Sequence, residues 1–207
     1  PSAKDVPFCR VLAIKTAGEV VNLTTPAGYI GGEPLKAYLL KKHHVPMVEG
    51  VASVVIAKTT KTIAEVLFIL LGITLAFWRV DSDGSLGQTV VMALVSVAVL
   101  FFVTASLVFA QRRGFFTWLL EFTRKIGLKI RFLEAREEEI RSLDRLILDY
   151  YRHNRTAVYS STGLFFLSWM SEALEVYLII WYLGGPATVL SAISINALSV
   201  FIKGGSF

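Results

Sequence analysis

The amino-acid sequence predicts an all-α fold: a polytopic helical membrane protein with broken or re-entrant helices and a cytoplasmic amphipathic helix. Three observations carry this. The 207 residues are 54% hydrophobic and only 18% charged, with a mean hydropathy of +0.59, whereas soluble domains carry about a quarter charged residues. Apolar runs recur at the length of about 20 residues that a helix needs to cross the hydrocarbon core. Proline and glycine clusters, together with two basic segments, punctuate those runs. The chain reads as one transmembrane domain in four parts: a broken helix and basic loop (11–50), a helical hairpin (51–110), interfacial and cytoplasmic helices (111–155), and a third span with a terminal apolar segment (156–207). It starts at Pro1 and stops in IKGGSF, so a piece of a longer protein is expected.

The first part, AIKTAGEVVNLTTPAGYIGGEPLKAYLL, begins as an apolar helix near Val11 that Pro26 and Gly28 break. It is expected to restart at Glu33, with Pro34 in the first turn, where proline is tolerated, and a carboxylate at the positive helix start. Backbone that leaves a helix at membrane depth must be buried in protein or line a wet cavity, because lipid offers its amides no partner. Half-helix ends of this kind are a way for transporters to build a site.

Val51 to Trp78 is the next span, ending in an aromatic residue at interfacial depth. RVDSDGSLG turns the chain into Gln88 to Ala110, a span without charge. QRRGFFTWLLEFTRKIGLKI then alternates apolar and basic residues, the pattern of a helix in the headgroup plane, with Trp118 and Phe122 toward lipid. RFLEAREEEIRSLDRLILDYYRHNR is a charged amphipathic helix, with Glu137 and Arg141 at i,i+4 and Ile140, Leu143 and Ile147 on one stripe. Val158 to Leu183 is the third span, and Gly184 to Pro186 breaks it before a last apolar segment that either crosses or re-enters.

Lysines and arginines collect around Lys36, Lys41 and Lys42 and between Arg112 and Arg155, and are sparse in the two other connections, which places the basic segments in the cytoplasm. The net charge of +5 is then a topology signal and a contact with anionic headgroups. The charged helix nearly balances acids with bases, so no nucleic-acid partner is expected. Cys9 is the sole cysteine and His43, His44 and His153 have no ligand spacing, so neither a disulfide nor a metal is expected, and no cofactor. No Ser-His-Asp set or phosphate loop is present either.

Ionisable residues inside spans ask for a partner or a function. Lys61 and Glu65 lie one turn apart and can neutralise each other, while Lys58 reads as a lysine that snorkels to the interface. Glu172 and Glu175 share a helix face in the third span, near Ser168 and Ser171. Two carboxylates in low dielectric repel, so a polar cavity and a bridge to a lysine from another helix remain equal readings.

The stretch GEVVNLTTPAGYIGGEPLKAYLL (Gly18 to Leu40) resembles the flippase-like membrane domain of lysylphosphatidylglycerol synthetases and their stand-alone relatives, some linked to hopanoid biosynthesis. Its "N, P, G, GGE, then a basic residue" signature covers the first half of the chain, and the architecture fits the remainder. The resemblance implies a multi-pass protein of the bacterial cytoplasmic (inner) membrane that binds and moves an amphiphilic phospho- or isoprenoid lipid. The motif positions it implies are Asn22, Pro26, Gly28, Gly31, Gly32, Glu33 and Lys36, to which the charges Glu65, Glu172 and Glu175 are added as candidate lipid-binding or transport residues. Asn196 with Gly204-Gly205 echoes Asn22 with Gly31-Gly32, an echo that chance also produces. The 207 residues contain no aminoacyl-transfer domain, so the expectation is a lipid transporter and not an enzyme. The alternative is a membrane scaffold whose charged helix docks a lipid-biosynthetic enzyme.

Overall fold

The structure, a computed structural model, describes residues 6–24, 31–78, 114–125, 136–186 and 188–205, with isolated positions between 98 and 109. Among the described residues the fold is all-α. The helices are α1 (Phe8–Thr24), α2 (Gly32–Lys42), α3 (Met47–Trp78), α4 (Phe115–Lys125), α5 (Glu137–His153), α6 (Arg155–Tyr182) and α7 (Val189–Gly205). The loop after Trp78, the expected span from Gln88 to Ala110, and residues Pro26 and Gly28 lie outside the described residues or are described only at isolated positions. The chain divides into two compact units, Pro1–Lys58 with Val108–Arg155, and Thr59–Leu107 with Thr156–Phe207.

In the first unit α1 and α2 form an antiparallel hairpin: Asn22 meets the start of α2, Glu19 meets its middle, and Ile14 packs with Leu40 near its end. The break expected inside TTPAGYIGG falls mostly on residues 25–30, outside the described residues; α1 is described to Thr24 and α2 from Gly32, with Pro34 in its first turn. The exit from α2 is a Schellman motif. His44 N–H donates to Lys41 O (3.0 Å) and Val45 N–H to Leu40 O (3.3 Å), His44 takes φ 64°, and Val45 packs on Leu40 in the accompanying apolar contact. Pro46 then forbids continuation, so α3 begins at Met47, four residues before the span read from sequence.

Helices α4 and α5 form a second pair in this unit. Leu143, Asp144, Ile147 and Tyr151 of α5 are buried, which confirms the Leu143–Ile147 stripe, and Leu120 of α4 is 2% exposed. The first turn of α5 carries Glu137, Glu138 and Glu139 and its last turn Arg152 and His153, both favourable to the helix dipole. Glu137 accepts from Arg141 at 2.8 Å, the i,i+4 pair expected from spacing.

The second unit packs around Phe68, Ala173, Ile193 and Ala197. Phe68 stacks on Trp169 (centroids 5.9 Å, 18°) and meets Phe166 edge-on. Small residues let backbones approach: a Cβ on Gly72 would run into the Ala197 methyl, and Ser194 donates to Gly72 O at 3.1 Å. Apolar burial gives little drive between helices in lipid, so such close contacts and interhelical hydrogen bonds hold the bundle. Gly184, at φ 75°, ends α6 in a second Schellman turn, with Gly185 N–H donating to Ile180 O. Thr188 and Ser191 then exchange backbone-to-hydroxyl bonds as a capping box for α7.

Among the described residues α6 is the helix long and apolar enough to cross a membrane, with α7 a shorter apolar helix. Leu164, Leu167, Leu174 and Trp181 are all half exposed or more on the folded chain, a surface suited to lipid and not to water.

The α2–α3 turn holds a histidine where glycine is favoured, at a cost of roughly 1 kcal/mol for the left-handed conformation. His44→Gly is expected to stabilise the hairpin by a few tenths to about 1 kcal/mol, read as a raised midpoint in thermal unfolding of the purified protein. A lowered midpoint contradicts this account of the turn.

Candidate functional site

The site grows from the start of α2. The first amides of any helix lack intrahelical acceptors, and Gly31, at the N-cap, has no side chain to offer one. Asn22 reaches across from α1 instead: its Oδ1 accepts from Gly32 N–H at 2.7 Å, and its Nδ2 donates to Glu33 Oε1 at 3.4 Å. One side chain thus caps the helix and fixes the carboxylate beside it. Asn22 is buried, so its bond from Gly32 N–H is shielded from water.

The geometry explains which glycines matter. A Cβ on Gly32 would collide with Gly18 O and approach Asn22 Cγ to 2.7 Å, and a Cβ on Gly18 would collide with the Lys36 stem. These two positions are where α1 and α2 touch. Gly31 takes an ordinary right-handed conformation (φ −67°), so its backbone alone demands no glycine.

Lys36 lies over Gly18 and joins two carboxylates. Its Nζ stands 2.8 Å from Glu19 Oε1 and 3.2 Å from Glu33 Oε1, and its side chain is only 12% exposed. Bonds from the ammonium to both carboxylates satisfy it in this enclosed position. Lys58, from α3, approaches Glu33 Oε1 to 3.8 Å with its side chain 47% exposed. Lys58 does not merely snorkel, as expected from sequence; it is an outer cation of Glu33. Two ammonium groups and two carboxylates thus meet at the hairpin, and pairing lowers the cost of holding charge in an apolar chain.

The structure therefore gathers Asn22, Gly32, Glu33 and Lys36, with Gly31 at their edge, and adds Gly18, Glu19 and Lys58. Pro26 and Gly28 lie outside the described residues. Glu65 is half-buried in α3, and Glu172 and Glu175 lie on the exposed side of α6, all three in the second unit. Ser171 there donates to Leu167 O within its own helix. Asn196 is buried in α7, and its Nδ2 has no hydrogen-bond partner, unlike that of Asn22. Among the described residues no group of three His, Cys, Asp or Glu could hold a metal ion. Glu19 was legible only as a carboxylate one turn before Asn22's neighbour Leu23; its partner 17 residues away has no local spacing signal.

Glycine substitutions test the close approach. Gly32→Ala is expected to destabilise the protein by about 1–3 kcal/mol through overpacking. Gly163→Ala, in α6 with nothing within 4 Å of the added Cβ, is expected to be neutral or stabilising by up to about 1 kcal/mol. Equal effects in thermal unfolding contradict the contact.

Comparisons with curated proteins and with solved structures give no match. The family described as "Lysylphosphatidylglycerol synthase TM region" matches residues 2–207. The match extends through the second unit as well as the Asn22–Lys36 hairpin. This membrane-domain assignment agrees with the apolar, outward-facing α6 and with the resemblance carried by Gly18 to Leu40. The chain belongs to the family of lysylphosphatidylglycerol synthase transmembrane regions.

Proposed function

We propose that this chain is a multi-pass, non-enzymatic lipid-transporting domain of the bacterial cytoplasmic membrane, and that the α1–α2 hairpin binds the polar headgroup of an amphiphilic phospho- or isoprenoid lipid. The observation that carries the reading is the Glu33 carboxylate, held by Asn22, Lys36 and Lys58 in the first turn of α2 in an apolar chain. Ionisable residues in such a setting are expensive to keep and so point to a substrate path.

The contacts are graded. Lys36 is buried and hydrogen-bonded to both carboxylates, which makes it a structural cation. Lys58 is more exposed and its contact with Glu33 is longer, which makes it exchangeable. A cationic headgroup group takes the place of Lys58 at Glu33, and the released ammonium meets the lipid phosphate. The network keeps its charge balance through the exchange, so no bare ion is left in low dielectric. Lys41 and Lys42, exposed at the end of α2, concentrate anionic lipid near the hairpin.

Glu33→Gln keeps an acceptor for the Asn22 amide and leaves Lys36 its bond to Glu19, so the fold is expected to survive. Lipid movement in reconstituted vesicles is expected to fall about tenfold or more, the loss of one charge-assisted contact of about 1.4 kcal/mol or above. Glu137→Gln, which removes a surface pair on α5, serves as the control and is expected to leave transport unchanged. Wild-type transport by Glu33→Gln across a panel of phospholipids and isoprenoid lipids refutes the assigned site.

A further inference from the structure

Helix α4 turns one side to α5 and the other away from the protein. Leu120 is buried against the protein, whereas Trp118 is 55% exposed and Leu119 and Phe122 are exposed beside it. The exposed rings are ordered. Trp118 stacks on Phe122 with centroids 5.2 Å apart and planes at 16°, and Phe115 continues the row at 6.4 Å from Trp118. This ridge is an apolar surface exposed at Trp118, Leu119 and Phe122, next to α5, whose outer residues Arg145, Asp149 and Arg152 are exposed and charged.

A second observation fixes the direction in which the ridge points. Asp144 of α5 is only 4% exposed. Its Oδ1 accepts from Phe116 N–H (3.2 Å), and its Oδ2 accepts from Thr117 N–H (2.7 Å) and from the Thr117 hydroxyl (2.6 Å). The carboxylate caps α4 from outside that helix. Gly114, at φ 85°, turns the chain into α4 directly beside it, and a Cβ there would lie 3.4 Å from Asp144 Oδ2. Three bonds to one turn define the rotation of α4 about its own axis, and hence which residues face outward.

We propose that the α4–α5 pair is a membrane-surface module: the Phe115–Trp118–Phe122 ridge seats in the headgroup layer of anionic lipid, and Asp144 is the positioning residue that aims it. The described turns of α4 set an apolar, aromatic side beside basic residues, the pattern of a helix that lies in the headgroup layer. Anionic lipid is the partner chemistry because the sequence brackets the ridge with bases, Arg112 and Arg113 before it and Arg124 and Lys125 after it. Bases near such a surface attract anionic headgroups. The charged side of α5 faces water, so the pair stands across the interface with its polarity matched on both sides.

The test uses the full chain in nanodiscs of phosphatidylcholine, alone or with phosphatidylglycerol, with Trp78, Trp169 and Trp181 replaced by Phe so that Trp118 is the only reporter. Lipids brominated near the headgroup are expected to quench Trp118 more than lipids brominated deep in the chain, and aqueous acrylamide to quench it weakly. Phosphatidylglycerol is expected to raise shallow quenching by about twofold or more, an effect reversed by salt. Asp144→Ala is expected to shift quenching from shallow lipid to acrylamide, and Thr117→Val, which removes one of the three bonds, to shift it less in the same direction. Should the triple-Phe protein lose helicity, a spin label at Leu119→Cys in a Cys9→Ser background gives the same depth from oxygen and nickel-chelate access. Strong acrylamide quenching in the unaltered module, or protection from both acrylamide and brominated lipid, as a covering protein would give, overturns the proposal. An unchanged depth profile in Asp144→Ala overturns the role of Asp144, and indifference to phosphatidylglycerol overturns the anionic partner.

Discussion

A helix that starts inside an apolar protein exposes amides that hydrocarbon cannot satisfy, and the bond from Gly32 to Asn22 answers that constraint. Much of the first unit follows from it. To reach the amide, Asn22 must sit within touching distance of the α2 backbone, which requires glycine at 18 and 32. The same proximity brings Glu19 under Lys36 and lets the second arm of the Asn22 amide hold Glu33. Capping, close packing and the charge network are three consequences of one short distance.

The protein solves the problem of a helix start in the same way at α4. There Asp144 supplies the acceptor from a neighbouring helix, and Gly114 provides the space. In both cases the cap comes from another element, so the helix is locked to its neighbour by the group that also completes its own hydrogen bonding. α7 differs, because Thr188 and Ser191 cap it locally and leave its placement to packing against Gly72 and Phe68. A carboxylate suits the α4 start, which carries no acidic residue in its first turn. A neutral amide suits the α2 start, where Glu33 already supplies the negative charge.

Electrostatics in the hairpin follows a gradient from buried to open. Lys36 is enclosed and doubly bonded, Glu33 is partly enclosed, and Lys58 stands furthest out. Pairing makes such a group tolerable in an apolar chain, while the unequal length of its contacts grades them from inner to outer. That combination of a fixed inner pair and an exchangeable outer cation is the physical basis of the headgroup site proposed above.

The sequence by itself determined the helical class, the membrane setting, the helix start beside Glu33, the stop at Gly184 and the stripe on α5. These properties are written in composition, in periodicity, and in residues whose backbone preferences act over one or two turns. It also exposed half of the site, because Asn22, Gly32, Glu33 and Lys36 fall within a single motif. Tertiary structure alone decided that Glu19 and Lys58 join Glu33, that Glu65, Glu172 and Glu175 belong to another unit, and that Asp144 caps a helix 27 residues before it. Those choices depend on which helix faces meet, and contact between faces is set by packing across long sequence separations, where no local period carries the information.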